Sequence, residues 1–213
     1  MNKYRQITFW ILFGISISMT LPIVIWILRK PAFFCNKIGI TEQALTIPYA
    51  WLLSVSIAVA YVMYTFKSVP FVQQMQSEYS GLKLISIWAA LASGIIEEIF
   101  FRKMIMDWFL SMGYGNLLQV ISTALAFGIA HGLWILLHGD LKIAVPVILS
   151  TTVLGALLGI LYVVGERNLL PCIVAHTLIN LVIEPWLILS AVSGKMGLED
   201  NTRLNSNGLP PDD

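Results

Sequence analysis

Ser93 to Lys103 reads SGIIEEIFFRK and places two adjacent glutamates and an arginine inside an apolar run. Leu82 to Ile96 before the glutamates is largely aliphatic, and Ile99, Phe100 and Phe101 separate them from Arg102. A charged group at such a position is costly unless it is paired or serves a function. Whether this run lies in water or in lipid decides the fold.

Composition answers that question. Of 213 residues, 57% are hydrophobic and only 12% are charged, and the mean hydropathy is +0.79. A soluble domain carries about 25% charged residues and about 45–50% apolar ones, so the chain reads as an integral membrane protein with the lipid bilayer as its first partner. A formal net charge of +1 offers no basic surface for a nucleic acid. Cys35 and Cys172 lie far apart in or beside apolar runs, so neither a disulfide nor a metal-ligand spacing is read.

A helix needs about 20 apolar residues to cross a bilayer core. Six stretches meet or approach that length: Ile7–Leu28, Ile47–Phe66, Ser86–Asp107, Val120–Gly139, Ile143–Gly165 and Leu169–Ala191. The expected fold is therefore all-α, a multi-pass transmembrane helical bundle of about six spans. The first run is too long for a signal-peptide core and ends in Arg29-Lys30-Pro31, so it reads as a retained helix. The expected divisions are N-terminal transmembrane helices over 1–82, a functional core over 83–192 and a polar, disordered tail over 193–213.

With six spans, Lys3, Arg5, Lys67, Lys83, Lys142, Lys195 and Arg203 fall on the N-terminal side of the membrane. Arg29, Lys30, Lys37 and Arg167 fall on the other, once Arg102 and Lys103 are assigned to a helix. The positive-inside rule then puts both termini in the cytoplasm, of a bacterial-type cell membrane.

The first, second and fifth spans carry no charge. Ionisable groups gather instead in the third (Glu97, Glu98, Arg102, Lys103, Asp107), the fourth (His131, His138) and the sixth (His176, Glu184). That confinement predicts one polar site walled by the remaining helices. Glu98 and Arg102 stand at i, i+4 with the acid first, the favoured order for a helical ion pair. Glu97 is rotated about 100° away and is left for another task. The competing reading is a buried ion pair with a purely structural role.

Phe127 and His131 share a helix face at i, i+4. Gly128 and Gly132, echoed by Gly155 and Gly159, form small-xxx-small pairs that let helices approach closely. His176, Asn180 and Glu184 make one stripe at successive i+4 steps, and Pro185 is expected to kink or end that helix. No role is assigned to His138. At 1.5 Å per residue, Glu97 lies roughly 16 Å into its span, and His131 and His176 lie roughly 16 and 10 Å from the opposite face. In a core of about 30 Å with ordinary tilts these three can meet near mid-membrane.

A carboxylate, two imidazoles and a carboxamide in a partly dry cavity suit hydrolysis. Glu97 can act as base on a water, with His131 sharing the activation. His176 and Asn180 can donate to a developing oxyanion. No serine or cysteine sits in an obvious nucleophile setting.

These motifs resemble those of the CPBP family, the CAAX protease and bacteriocin-processing (Abi) family of intramembrane proteases. EEIFFR, Glu97 to Arg102, is similar to its EExxxR motif; FGIAH, Phe127 to His131, to its FxxxH motif; and HTLIN, His176 to Asn180, to its HxxxN-like motif. The resemblance spans about Ser86 to Val182, and Met1 to Lys83 matches only in hydrophobicity. It implies a helical membrane endopeptidase acting on a membrane-embedded or lipidated peptide or protein. Members like the eukaryotic branch remove the last three residues of prenylated CAAX tails.

The resemblance also implies that Glu97 and His131 activate water, that His176 and Asn180 stabilise the oxyanion, and that Glu98, Arg102 and Phe127 shape the site. No cofactor is expected. A zinc reading, with His131, His176 and a glutamate as ligands, is the alternative mechanism, disfavoured because the chain has no HExxH and HxxxN supplies one strong ligand. Glu184 has no counterpart in the pattern. Rivals of another class are a non-proteolytic immunity protein that protects its own cell from a bacteriocin, and a proton or ion pathway.

Overall fold

The computed structural model describes residues 3–31, 34, 46–134 and 141–195. Cys35, His138 and the expected tail from 196 onward lie outside them. The described chain is a multi-pass helical bundle without strands. Its helices are α1 (Lys3–Arg29), α2 (Pro48–Ser68), α3 (Pro70–Gln74), α4 (Gly81–Ser111), α5 (Asn116–His131), α6 (Leu141–Val164) and α7 (Leu170–Val192).

Five of these are long and apolar enough to cross a membrane: α1, α2, α4, α6 and α7. The fourth expected span, Val120–Gly139, appears as the shorter apolar helix α5, followed by a 3-10 turn over Gly132–Trp134. A short helix that apolar periodicity did not separate, α3, joins α2 to α4 and begins at Pro70, whose fixed φ suits a first helical turn. Pro48 and Pro171 open α2 and α7 in the same way.

α4 is one rod in three registers: α-helical over Gly81–Glu98, π-helical over Ile99–Met106 and α-helical again over Asp107–Ser111. It stops where Gly113 takes φ 82°, a left-handed conformation that glycine adopts without strain. Pro185 does not end α7, contrary to one of the two expectations for it. The helix runs on to Val192.

α7 is the axle of the bundle. It packs on α4, α2, α1 and α6, and 56% of its most apolar window is buried, against 11% for the peripheral α1. On the other rods large apolar side chains such as Leu52, Leu117, Ile129 and Leu149 are exposed, as expected of a bundle surrounded by lipid. Several hydroxyls in the apolar rods are satisfied within their own helix: those of Thr8 and Ser16 donate to the carbonyls of Tyr4 and Leu12, at 2.9 and 2.8 Å.

Two glycine contacts set how closely the rods meet. A Cβ on Gly94 would collide with the Thr177 hydroxyl, so α4 and α7 touch there through backbone. A Cβ on Gly128 would collide with Thr152, and one on Gly155 would sit 3.1 Å from the Ala124 Cα. The α5–α6 seam is therefore the close approach that the small-residue pairs predicted.

Candidate active site

α4 and α7 run antiparallel, since Glu98 meets His176 while Ser93 meets Asn180. α5 closes the third side. Glu98 is fully buried and uses both carboxylate oxygens: Oε1 accepts a hydrogen bond from His176 Nδ1 at 2.8 Å, and Oε2 lies 3.1 Å from Arg102 Nε. Arg102, 0% exposed, also donates from Nη2 to the Gly155 carbonyl at 3.2 Å. A glycine at 155 lets α5 and α6 approach closely beside the carbonyl that receives the guanidinium.

Phe127 fills the space between these groups. Its ring lies 5.1 Å from the Arg102 guanidinium carbon, 4.4 Å from the His131 ring and 5.6 Å from the His176 ring. A guanidinium over an aromatic face is held by the ring quadrupole as well as by its carboxylate. Phe101 stacks edge-on at 5.0 Å and completes the apolar wall.

Glu97 stands apart from this buried ion pair. Its side chain is 18% exposed, and its Oε2 is buried with no hydrogen-bond partner among the described residues. The same oxygen lies 3.8 Å from His131 Nε2 and 3.8 Å from His176 Nε2. That separation is too long for a direct hydrogen bond and is suited to a shared small molecule. His131 donates from Nδ1 to the Phe127 carbonyl at 2.8 Å, which leaves the lone pair of the neutral ring on Nε2. His176 has a carboxylate at each ring nitrogen.

Asn180 donates from Nδ2 to Ser93 Oγ at 3.1 Å. A carboxamide nitrogen carries two N–H groups, and the Ser93 bond uses one of them. Ser93 is a site residue to which the sequence pattern gave no role. It precedes Glu97 by one helical turn, and that spacing was the available signal. Glu184 lies within electrostatic reach of Glu97 and His176, and its Oε2 is buried without a hydrogen-bond partner among the described residues.

Glu97, Glu98, Arg102, Phe127, His131 and His176 thus meet in one place, and Asn180 lies one helical turn from His176 on α7, bonded to Ser93. Lys103 and Asp107 do not join them, which corrects the expectation of a single polar site. Asp107 pairs with Lys103 Nζ at 2.9 Å and with Arg167 Nε at 2.9 Å, and accepts from the Tyr162 hydroxyl at 3.1 Å. Arg167 reaches on to Gln119 Oε1 at 3.0 Å. This second cluster clasps the α6–α7 turn, where Glu166 and Arg167 take φ 55° and 60°. Such angles in non-glycine residues persist where surrounding bonds hold them. A loop arginine counted for topology has become the centre of the clasp.

Among the described residues no group of three or more His, Cys, Asp or Glu side chains is arranged to hold a metal ion. Residues 80–182 match the protein family described as type II CAAX prenyl endopeptidase Rce1-like. No curated protein and no solved structure matches the chain.

Proposed function

We propose, from the premise that the chain belongs to the CPBP family, that it hydrolyses a peptide bond of a lipidated, membrane-anchored substrate with water activated by Glu97. The family is one of CAAX-type intramembrane endopeptidases, and it implies a membrane-associated prenylated substrate.

The single observation that carries the mechanism is the convergence of Glu97 Oε2 with two imidazole Nε2 atoms, each 3.8 Å away. Glu97 takes one proton from water, and His131 Nε2 accepts a hydrogen bond from the other. The water oxygen bonds to the scissile carbonyl carbon, and the oxyanion takes hydrogen bonds from Asn180 and from His176 when its Nε2 carries a proton. Collapse breaks the C–N bond, and Glu97 returns its proton to the leaving amine. Glu98 and Arg102 do not touch the reacting atoms in this scheme. They hold the His176 ring in register through Nδ1, as an orienting carboxylate does in hydrolytic triads.

The donor set does not favour zinc. Glu98 is committed to Arg102 and His176, and His176 turns one nitrogen to Glu98. The two imidazole Nε2 atoms and the Glu97 carboxylate that remain match in kind the two-histidine, one-carboxylate set of catalytic zinc sites, but they are not arranged as a ligand cluster. No step is therefore routed through a metal.

The test uses the full chain in detergent micelles with a fluorogenic, S-farnesylated peptide ending in a CAAX tail. Release of the tail, undiminished by a strong chelator, is the expected result. An intact peptide would overturn the peptidase reading. Stoichiometric zinc bound by His131 and His176, with activity lost on its removal and regained on its return, would overturn the metal-free mechanism. Protection of cells against a bacteriocin that survives Glu97→Ala would favour immunity by binding instead.

A further inference from the structure

We propose that Glu184 holds the substrate: its carboxyl accepts a hydrogen bond from a main-chain N–H of the bound peptide, about two residues from the scissile carbonyl. This deepens the peptidase reading and rests on it.

Three observations carry the assignment. Glu184 continues the His176–Asn180 stripe by one more i+4 step on α7, so it projects from the helix face that bears the proposed oxyanion donors. It lies within electrostatic reach of Glu97 and His176. Its Oε2 is buried, and no donor or cation among the described residues bonds to it.

Several other polar side chains along α4 and α7 have permanent partners. Gln76 Nε2 donates across to the Val182 carbonyl at 3.0 Å, Asn180 is bonded to Ser93, and Arg102 is committed to Glu98 and Gly155. A buried carboxyl oxygen without a partner costs stability, so a transient partner is the economical explanation. Ionisable groups inside membrane helices are costly, and those retained there usually serve a site or pathway.

The chemistry of that partner is set by what an intramembrane peptidase must bind. An extended substrate has lost its own helical hydrogen bonds, and its main-chain N–H groups need acceptors where water is scarce. One i+4 step advances about 6 Å along α7 from Asn180, and an extended chain rises about 3.3 Å per residue. The N–H that meets Glu184 is therefore about two residues from the carbonyl held at Asn180.

The experiment measures KM and kcat for the same S-farnesylated CAAX peptide and for versions with one amide replaced by an ester near the cut, the scissile amide excepted. An ester lacks the N–H but keeps the chain. In the wild-type protein, one ester about two residues from the cut should raise KM about tenfold with kcat little changed, as expected for a contact made equally in ground and transition states. In Glu184→Leu, amide and ester at that position should bind alike, each about tenfold weaker than wild type binds the amide. Glu184→Gln retains an acceptor oxygen and should keep a smaller ester penalty; it also serves if the leucine variant fails to fold. Cleavage by wild type with no ester penalty that depends on residue 184 would overturn this inference alone. Failure of wild type to cut the parent peptide would overturn the peptidase reading and this inference together.

Discussion

Glu97 and Glu98 are neighbours in sequence and opposites in surroundings. Glu98 is sealed between Arg102 and His176, and Glu97 faces two histidines with an unpartnered oxygen. Substitutions should separate the two roles. Glu97→Gln keeps the volume and removes the base, so kcat should fall by about 10² to 10⁴, the usual contribution of a positioned acid–base group, while protein level and melting behaviour stay near wild type. Arg102→Ala leaves Glu98 buried without its cation, which costs about 3–5 kcal/mol when a buried pair is broken from one side. Reduced membrane levels and a lower Tm should accompany its loss of activity. Peptide hydrolysis measured beside thermal unfolding checks both, and equal structural damage from the two variants would restore the purely structural ion pair.

At the scale of elements, the site depends on how closely α4 and α7 approach. Gly94 lies against Thr177, with the Thr177 backbone N 3.2 Å from where a Cβ would stand. The contact lies between the Glu98–His176 and Ser93–Asn180 bonds in the antiparallel pair. Gly94→Ala should therefore destabilise by about 1–3 kcal/mol, the range for overpacking, and should loosen both bonds. Thr177→Ala removes the colliding hydroxyl and should return part of that loss, a coupling that a double-mutant cycle reads from Tm and kcat together. Additive effects would mean that the two positions do not touch. The π-helical stretch Ile99–Met106 begins directly after Glu98. Registers of this kind recur at functional sites, but they leave no mark in apolar periodicity, which is why α4 read as one uniform span.

For the whole molecule, the Asp107–Arg167 clasp is a second polar centre that ties α4, α5 and the α6–α7 turn together through Lys103, Gln119 and Tyr162. Its bonds run among its own members and reach none of the proposed catalytic set. Arg167→Ala should thus lower stability by about 1–2 kcal/mol, within the range for partly buried charged hydrogen bonds, with kcat on the prenylated peptide retained. A loss of kcat without a loss of Tm would instead tie the clasp to the chemistry.

Sequence alone determined the features that depend on local chemistry and period. Hydropathy and charge scarcity put the chain in a bilayer, where only helices of this length satisfy their own backbone. The i, i+4 rule paired Glu98 with Arg102 and aligned His176 with Asn180, and residues 80–182 match the family described as type II CAAX prenyl endopeptidase Rce1-like. Tertiary structure decided the features that depend on contacts between distant segments. It committed His176 Nδ1 to Glu98, aimed both Nε2 atoms at Glu97, set Ser93 under Asn180 and drew Asp107 away to Arg167. A helical period states which side chains share a face. Which face of which neighbour they meet is fixed by how closely the rods pack, and here that is set by glycines at 94, 128 and 155.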